Sequence, residues 1–232
     1  MNKQKNKYYY LKGIKNGMPI CLGYLAVSFT LGITARNAGM TAWQAMLTSL
    51  ACNASAGQYA GFTVIAAGGT YFEMILMELV ANARYLLMSC SLSQKFSSET
   101  GLLHRMLVGY DVTDEIFGVA VSEPGKLNPF YNYGMMTVAI PGWSLGTFFG
   151  VIMGNILPAN IVSALSVGLY GMFLAIIIPP ARKNKIIAAL VTISMVSSYI
   201  FSRLPVISNI SSGIRTIILT VAIAGIAAVL FP

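Results

Sequence analysis

The fold is decided by the stretch Asn53-Ala54-Ser55-Ala56-Gly57-Gln58-Tyr59-Ala60-Gly61, together with the later run Val80-Ala81-Asn82-Ala83-Arg84-Tyr85-Leu86-Leu87-Met88-Ser89. Both runs lie inside apolar sequence, yet polar side chains occur in and between them: Asn53, Gln58, Glu78, Asn82 and Arg84. An ionised group in hydrocarbon costs at least ~2.5–3.5 kcal/mol, so such groups usually face a bundle interior or an aqueous path. These residues are the first candidates for a functional site in a membrane protein.

The composition is that of an integral membrane protein. The chain has 232 residues, of which 56% are hydrophobic and only 9% are charged, against roughly 25% charged in a typical soluble domain. Several apolar runs reach the ~20 residues that a helix needs to cross the hydrocarbon core of a lipid bilayer. Because these runs are continuous and do not alternate with period two, they predict helices and not a β-barrel.

The net charge of +8 indicates membrane orientation and not nucleic-acid binding. Five of the fifteen basic residues cluster at the N-terminus, and the first acidic residue is Glu73. Because positive residues stay on the cytoplasmic side of a membrane, the N-terminus is predicted to be cytoplasmic. No small-residue cleavage pattern follows, so we expect this start to be retained. The N-terminal lysines are Lys3, Lys5, Lys7, Lys12 and Lys15.

Eight apolar segments follow one another along the chain, and six of them suit one membrane crossing each. Basic residues recur at Lys95 and Arg105 and again at 182–185, and clusters on one side of a membrane are separated by an even number of crossings. Three segments lie between the N-terminus and Lys95, so one of them is not a simple span. The segments are Gly13–Arg36, Ala42–Gly68, Tyr71–Leu92, Met106–Val121, Pro129–Gly154, Asn160–Pro179, Lys185–Arg203 and Gly213–Phe231.

Two segments are predicted to be broken or re-entrant. Ala42–Gly68 is too long for one straight span and is interrupted at Ser55–Gly61, so we expect it to begin and end on the outer side. Met106–Val121 is too short and too charged to span, so we expect it to enter and leave from inside. Transporters use irregular backbone at membrane depth to build sites. The prediction is an all-α integral membrane protein with about six full transmembrane helices plus two broken or re-entrant segments, in a single polytopic domain over 1–232 with a cytoplasmic basic N-terminus at 1–12.

Arg84 is the only arginine well inside an apolar span. Its planar guanidinium can hold a carboxylate with two hydrogen bonds, which suits a substrate. Buried charges are normally paired, so the same side chain also suits an ion pair that fixes helix packing, with Asp114, Glu115 or Glu78 as partner. Both interpretations predict that the loss of Arg84 is severe.

Acidic residues are concentrated around Thr113, with three carboxylates within five residues. Thr113 is a suitable N-cap for a helix, and acids are favoured in the first turn of such a helix. A further carboxylate in so apolar a setting is suited to bind a proton or a substrate ammonium. The residues considered for proton coupling are Glu78, Asp111, Asp114 and Glu115.

Other polar or aromatic residues each allow a structural and a functional interpretation. Glu78 and Asn82 are four residues apart and share a helix face, which either forms interhelical hydrogen bonds or lines a pathway. Asn53 and Gln58 either contact substrate or are buried amides among small residues. Trp143 either forms a wall of the site or is an aromatic of the bundle interior.

Glycines spaced by four form a ridge after Trp143. Gly146, Gly150 and Gly154 make the small-residue surface on which membrane helices approach closely. The ridge serves either packing within the chain or the docking of a partner.

The sequence predicts neither an enzyme nor a cofactor site. It contains no HExxH, GxSxG or P-loop pattern. Cys21, Cys52 and Cys90 lie in different segments without CxxC spacing, and His104 is the single histidine, so we expect no metal site.

Four features occur along the chain in a fixed order and spacing. They are the run 54–61 around Gln58, the run 82–89, Thr113-Asp114-Glu115-Ile116-Phe117, and Tyr133-Gly134 followed by Trp143 and the glycine ridge. Together they resemble the AzlC family, the large subunits of bacterial branched-chain amino acid exporters. The resemblance extends from about Ile14 to about Pro180. It assigns 13–181 to an AzlC-like region and leaves 182–232 as two C-terminal scaffold or partner-facing helices.

The resemblance implies a secondary transporter that exports branched-chain or other hydrophobic amino acids across a bacterial cell membrane, together with a small AzlD-like membrane subunit. The chain departs from the family in having Ala54-Ser55-Ala56-Gly57-Gln58-Tyr59 for Ala-Gly-Ala-Ser-Gln-Phe, and Leu165-Ser166-Val167-Gly168 where many members carry an acid. The alternatives are an amino-acid-insensitive channel and a structural membrane subunit without transport activity. The candidate substrate-binding or pathway residues are Asn53, Gln58, Asn82, Arg84, Asp114, Glu115 and Trp143.

Overall fold

The fold is taken from a computed structural model of the chain. It describes residues 3–154, 181–203 and 212–230, with residues 156, 160, 174, 177 and 178 between them. Helix α1 begins at Lys3, so the basic N-terminal residues belong to its first turns. In the described part the named helices are α1 (Lys3–Asn37), α2 (Ala42–Cys52), α3 (Ser55–Ala66), α4 (Tyr71–Lys95), α5 (Leu102–Gly109), α6 (Asp114–Ser122), α7 (Pro129–Met153), α8 (Lys185–Arg203) and α9 (Ser212–Leu230).

Helices α1 and α7 pack along their lengths in the same direction, and glycines form their contact. An alanine Cβ at Gly13 would lie 2.0 Å from a carbonyl oxygen of α7, and one at Gly150 would lie 2.0 Å from the carbonyl oxygen of Phe29 in α1. The missing side chains let the two backbones approach closely. Gly146 and Gly154 also face α1, so the glycine ridge is an internal packing surface.

Polar contacts place four helix ends together, at what is called here the N-terminal end of the bundle. Lys12 Nζ in α1 lies 2.6 Å from Oε1 of Glu123, the residue after α6. Lys95 Nζ, at the end of α4, donates to the backbone oxygen of Glu123 at 2.5 Å. Asn128, just before α7, donates to Asn6 Oδ1 at 3.1 Å. Helices α1 and α7 therefore start at this end, and α4 and α6 finish there.

Helices α2 and α3, here the first hairpin, enter and leave from the opposite end of the bundle. Helix α2 begins shortly after α1 ends, with Thr41 and Gln44 forming a capping box at its start. Helix α3 ends at Ala66, and α4 begins at Tyr71 after a tight turn in which Gly68 has φ of +64°. Because α4 finishes at the N-terminal end, it starts at the far end, where both ends of this hairpin lie.

Helices α5 and α6, here the second hairpin, enter and leave from the N-terminal end. Arg105 in α5 donates to the carbonyl oxygens of Ser93 and Ser97, near the end of α4, at 2.8 and 2.9 Å. Helix α6 finishes just before Glu123, which contacts Lys12 and Lys95. The tips of the two hairpins meet inside the bundle, where Asn53 Nδ2 donates to Asp111 Oδ1.

The structure confirms the predicted fold class. Four of the described helices, α1, α4, α7 and α8, are long and apolar enough to cross a membrane, and α9 adds a shorter apolar stretch at Ile218–Leu230. The predicted segment Asn160–Pro179 lies almost wholly outside the described residues. Both segments predicted to be broken form hairpins.

One predicted boundary is wrong. The sequence predicts an interruption at Ser55–Gly61, but these residues are helical and the break lies at Asn53, which has φ of 46°. Asparagine tolerates this left-handed conformation better than most residues with a side chain. The small residues serve packing instead, since a Cβ at Gly57 would lie 2.3 Å from Glu78 Oε2 in α4.

Candidate functional site

A central cavity lies where the tips of the two hairpins meet. The space between its walls is about 250 Å³, part of it open to the outside, and the walls stand so close together that the cavity has room for little more than one water molecule. Its lining combines carboxylates, hydroxyl groups and aromatic rings. The lining residues are Tyr24, Asn53, Ser55, Tyr85, Thr113, Asp114, Glu115 and Trp143.

The N-terminus of α6 forms an acidic wall of this cavity. Thr113 caps the helix, with its Oγ1 accepting the backbone N–H of Ile116 at 3.4 Å. Asp114 and Glu115 occupy the first turn, where the partial positive charge of a helix N-terminus stabilises carboxylates. The hydroxyl of Tyr24 lies 2.8 Å from Glu115 Oε2 and 2.5 Å from Thr113 Oγ1. Thr113 therefore caps the N-terminus of α6, and the carboxylates of Asp114 and Glu115 offset the partial positive charge of that helix end.

The N-terminus of α3 contributes a wall of the opposite electrostatic character. Its N-cap is Ala54, which makes no side-chain hydrogen bond to the first turn, and that turn holds no acidic residue. The first N–H groups of a helix have no intrahelical partner. Ser55, the first residue of α3, lines the cavity. Helix N-termini of this kind bind anions, including carboxylates.

Arg84 forms an ion pair with Asp114. Arg84 Nη2 lies 2.8 Å from Asp114 Oδ2, and the two side chains are 36% and 22% exposed. The guanidinium also lies over the ring of Tyr85, 5.1 Å from its centroid. Asp114 and Tyr85 line the cavity, whereas Arg84 does not. The geometry matches the ion-pair interpretation of Arg84 and offsets the charge of Asp114.

Gln58 lies behind Trp143 in a closed ring of hydrogen bonds. Trp143 Nε1 donates to Gln58 Oε1 at 2.9 Å, and Gln58 Nε2 donates to Ser49 Oγ at 2.5 Å. Ser49 Oγ donates to Thr147 Oγ1 at 2.7 Å, and Thr147 Oγ1 donates to the carbonyl oxygen of Trp143 at 3.2 Å. Gln58 is 1% exposed and does not line the cavity. It contacts the cavity only through Trp143, whose orientation it fixes.

Glu78 and Asn82 lie between α4 and α3 and do not line the cavity. Asn82 Nδ2 donates to Glu78 Oε2 at 2.8 Å. The thiol of Cys52 lies 3.8 Å from the same carboxylate oxygen. Gly57 of α3 faces both side chains. Their geometry is that of polar contacts between helices.

Asp111 lies at the tip of the second hairpin, beside the cavity. Its side chain is 1% exposed, and its Oδ1 accepts a hydrogen bond from Asn53, which lines the cavity. Its Oδ2 has no hydrogen-bond partner among the described residues. Tyr110, the preceding residue, donates its hydroxyl to the carbonyl oxygen of Leu50 in α2. Two hydrogen bonds therefore join the hairpin tips.

The structure brings several predicted residues together and adds others. The predicted residues that line the cavity are Asn53, Asp114, Glu115 and Trp143. Tyr24 and Ser55 also line it and were not predicted. The contact of Tyr24 with Thr113 joins residues 89 positions apart in the chain, so no local pattern indicates it. Ser55 lies in the run 54–61 around Gln58, which the sequence indicates as a candidate region. Its position at the start of a helix could not be predicted, because it follows from the break at Asn53.

These features define the class of protein. Long apolar helices, and two hairpins whose tips enclose a polar cavity, are the architecture of a polytopic helical membrane protein. Comparison with protein families identifies one family within this class. The chain belongs to the AzlC protein family, whose sequence model matches residues 19–157.

Individual relatives are membrane proteins of similar sequence. An uncharacterized membrane protein of Archaeoglobus fulgidus is 29% identical over 182 residues, covering 78% of this chain and 80% of that one. Inner membrane protein YgaZ of Escherichia coli K12 is 25% identical over 150 residues, covering 63% and 61%. An uncharacterized membrane protein of Helicobacter pylori 26695 is 24% identical over 153 residues, covering 63% and 66%. The chain thus spans less than two thirds of the length of either bacterial relative. No solved structure gives a significant match.

Proposed function

We propose that the chain is a secondary transporter that exports branched-chain or other hydrophobic amino acids across a bacterial cell membrane, with its N-terminus cytoplasmic and a small AzlD-like membrane subunit as partner. Membership of the AzlC family supports a membrane protein with a transport-related role. The observation that carries the proposal is the central cavity, where an uncapped helix N-terminus, two carboxylates and aromatic rings meet.

The cavity offers complementary groups for each part of a zwitterionic amino acid. The uncapped N-terminus of α3, at Ser55, suits the substrate carboxylate. Glu115 suits the ammonium group, because its charge is not matched by an ion pair among the described residues. The rings of Trp143 and Tyr24 meet edge to face with centroids 5.2 Å apart and suit an apolar side chain.

The ion pair beside the cavity sets its charge balance. Arg84 offsets the charge of Asp114 at 2.8 Å, which leaves Glu115 as a cavity carboxylate without a paired cation among the described residues, in the same cavity as the partial positive charge at the start of α3. A zwitterion matches this arrangement, since it brings one positive and one negative group. In this proposal Arg84 positions Asp114 and does not itself hold the substrate.

Transport requires the cavity to widen. The present walls admit little more than one water molecule, so an amino acid enters only when the hairpin tips separate. The hydrogen bonds from Asn53 to Asp111 and from Tyr110 to Leu50 are the contacts that such a separation would break. Because the two hairpins enter from opposite ends of the bundle, movement of one or the other opens the cavity to opposite sides.

The test is leucine efflux from cells loaded with a leucine-containing dipeptide. Efflux is compared for the chain alone, the chain with a candidate AzlD-like subunit, and the variants Glu115→Gln and Glu99→Gln. Glu115→Gln removes the charge at the cavity while keeping the size of the side chain. Glu99→Gln makes the same change at an exposed residue between α4 and α5, so it is the matched control.

We expect faster efflux that requires the subunit, is lost in Glu115→Gln and is unchanged in Glu99→Gln, all at equal membrane expression. Unchanged efflux for every well-expressed form would refute leucine export. An ion current without saturable competition by amino acids would favour a channel. Efflux that survives Glu115→Gln while assembly with the subunit is lost would favour a structural subunit.

A further inference from the structure

Three carboxylates near the hairpin tips have partners that offset or solvate their charge. Asp114 is paired with Arg84 at 2.8 Å. Glu115 Oε2 lies 2.8 Å from the hydroxyl of Tyr24, and Glu78 accepts a hydrogen bond from Asn82. Each of these acidic side chains is also partly exposed. Their ionised forms are therefore supported by the surrounding structure.

Asp111 differs from them in being buried and in having one carboxylate oxygen without a partner among the described residues. It is 1% exposed, it belongs to neither described ion pair, and in the part of the chain that the structure describes only its Oδ1 has a hydrogen-bond donor, the amide of Asn53. Its Oδ2 is buried without a partner among the described residues. A buried carboxylate without a cation or a full set of hydrogen bonds is strongly disfavoured relative to its neutral form.

The titratable groups that face Asp111 reinforce this preference. Glu115 of α6 is close enough for its negative charge to act on Asp111, and like charges disfavour a second ionised carboxylate. The other titratable side chains that interact with Asp111, Tyr24 from α1 and Tyr110 from the same hairpin tip, supply no cation. Asn53, from the first hairpin, supplies a donor to one oxygen only. The proton of a neutral Asp111 is thus assigned to Oδ2.

We infer that Asp111 carries the proton that couples export to the proton gradient; the inference rests on the proposed function and names its driving ion. When the hairpin tips separate, Asp111 loses its Asn53 contact and meets water. The O–H bond at Oδ2 then breaks, the proton passes to water, and a carboxylate remains. Opening toward the opposite side reverses the step, with a proton taken from the water there.

The position of Glu115 makes this exchange an antiport. A substrate ammonium at Glu115 neutralises the charge that disfavours ionised Asp111, so substrate binding favours proton release. Loss of the substrate restores that repulsion and favours proton uptake. The amino acid and the proton therefore occupy the site alternately and move in opposite directions. With one proton per amino acid, a difference of one pH unit sustains about a tenfold ratio of amino acid concentrations.

The coupling is tested in proteoliposomes that contain the full chain together with its candidate subunit. Radiolabelled leucine efflux is measured with and without a pH gradient, and leucine exchange is measured at equal pH on both sides. A pH-sensitive dye inside the vesicles reports leucine-dependent proton movement. Asp111→Asn keeps the size and the Asn53 acceptor but removes the proton site, and Glu99→Gln is the matched control.

We expect Asp111→Asn to retain leucine exchange at equal pH while losing both the stimulation by a pH gradient and the dye signal. Wild type and Glu99→Gln should show all three. Stimulation of Asp111→Asn by the gradient to the wild-type extent would overturn the inference and leave leucine export intact. If wild type itself neither exchanges nor exports leucine, the proposed function fails instead.

A spectroscopic measurement keeps the inference testable if Asp111→Asn loses transport altogether. Infrared difference spectra between acidic and alkaline conditions detect the carbonyl band of a protonated carboxyl group. We expect such a band in the purified wild-type protein near neutral pH, its loss in Asp111→Asn, and its retention in Glu99→Gln. A wild-type spectrum without this band, or a band that persists in well-folded Asp111→Asn, would overturn the assignment of the proton to Asp111.

Discussion

Replacement of Gly150 by alanine tests whether the contact between α1 and α7 holds the bundle together. The added Cβ would lie 2.0 Å from the carbonyl oxygen of Phe29, and the next nearest atom is the Cα of Gly32 at 2.9 Å. Both are backbone atoms, which no side-chain rotation can move aside. Ordinary van der Waals contact begins at 3.4 Å, so the two helices must separate locally by about 1.4 Å.

The matched control is Gly23→Ala, also in a long central helix. An alanine Cβ at Gly23 meets no atom of the described residues within 4 Å. Both variants gain the same ~0.5–1 kcal/mol from replacing a glycine inside a helix, so the difference between them isolates the packing cost. Overpacking of a tight contact costs about 1–3 kcal/mol. For a chain of this length that difference corresponds to about 2–12 °C in Tm.

The assay is the recovery of monodisperse protein in detergent after heating, measured by size-exclusion chromatography with equal heating times. We expect Gly150→Ala to lose its native elution peak at a temperature about 2–12 °C below Gly23→Ala, and Gly23→Ala to match or slightly exceed wild type. Equal apparent Tm values for the two variants would refute the claim that direct backbone contact at Gly150 stabilises the bundle.

Three further predictions concern polar contacts. Arg84→Ala should abolish leucine efflux, because it removes the cation that pairs with Asp114. The double variant Arg84→Asp/Asp114→Arg restores an ion pair and should regain part of the efflux, and no regain at equal expression would argue against a pairing role. Gln58→Leu should lower stability by about 1–3 kcal/mol, because it leaves the buried Trp143 N–H unpaired. A Tm equal to that of wild type would show that the ring of hydrogen bonds around Gln58 does not stabilise the protein. Lys12→Ala and Glu123→Ala in a double-mutant cycle should show only a weak coupling that falls as salt is added, because the Lys12 side chain is partly exposed to solvent, and a strong coupling that does not depend on salt would contradict this.

The hairpins could be predicted from the sequence because they follow from simple constraints. Basic clusters at the N-terminus and at Lys95 require an even number of crossings between them, and Met106–Val121 is too short to span. The position of the first break was less predictable. Small residues such as Gly57 indicate either irregular backbone or close helix packing, and only the contact with Glu78 distinguishes the two.

The candidate site was predictable where its residues lie in one local pattern. The sequence predicts a capped helix start at Thr113-Asp114-Glu115, and α6 begins there in the structure. The ion pair of Arg84 with Asp114 was one of two interpretations, because partners in different helices cannot be chosen from spacing alone. Tyr24 could not be predicted, since its place at the cavity depends on how α1 packs against the second hairpin.

The helices form two similar units that run in opposite directions through the bundle. Helix α1 runs away from the N-terminal end and is followed by the first hairpin, whereas α4 runs toward that end and is followed by the second. Each unit of one span and one hairpin thus occurs twice with opposite orientation, as in transporters with inverted repeats. In a carrier of this design, a pseudo-two-fold rotation relates the two units, and the inward-open and outward-open forms interconvert when the units exchange conformations around a site that stays in place.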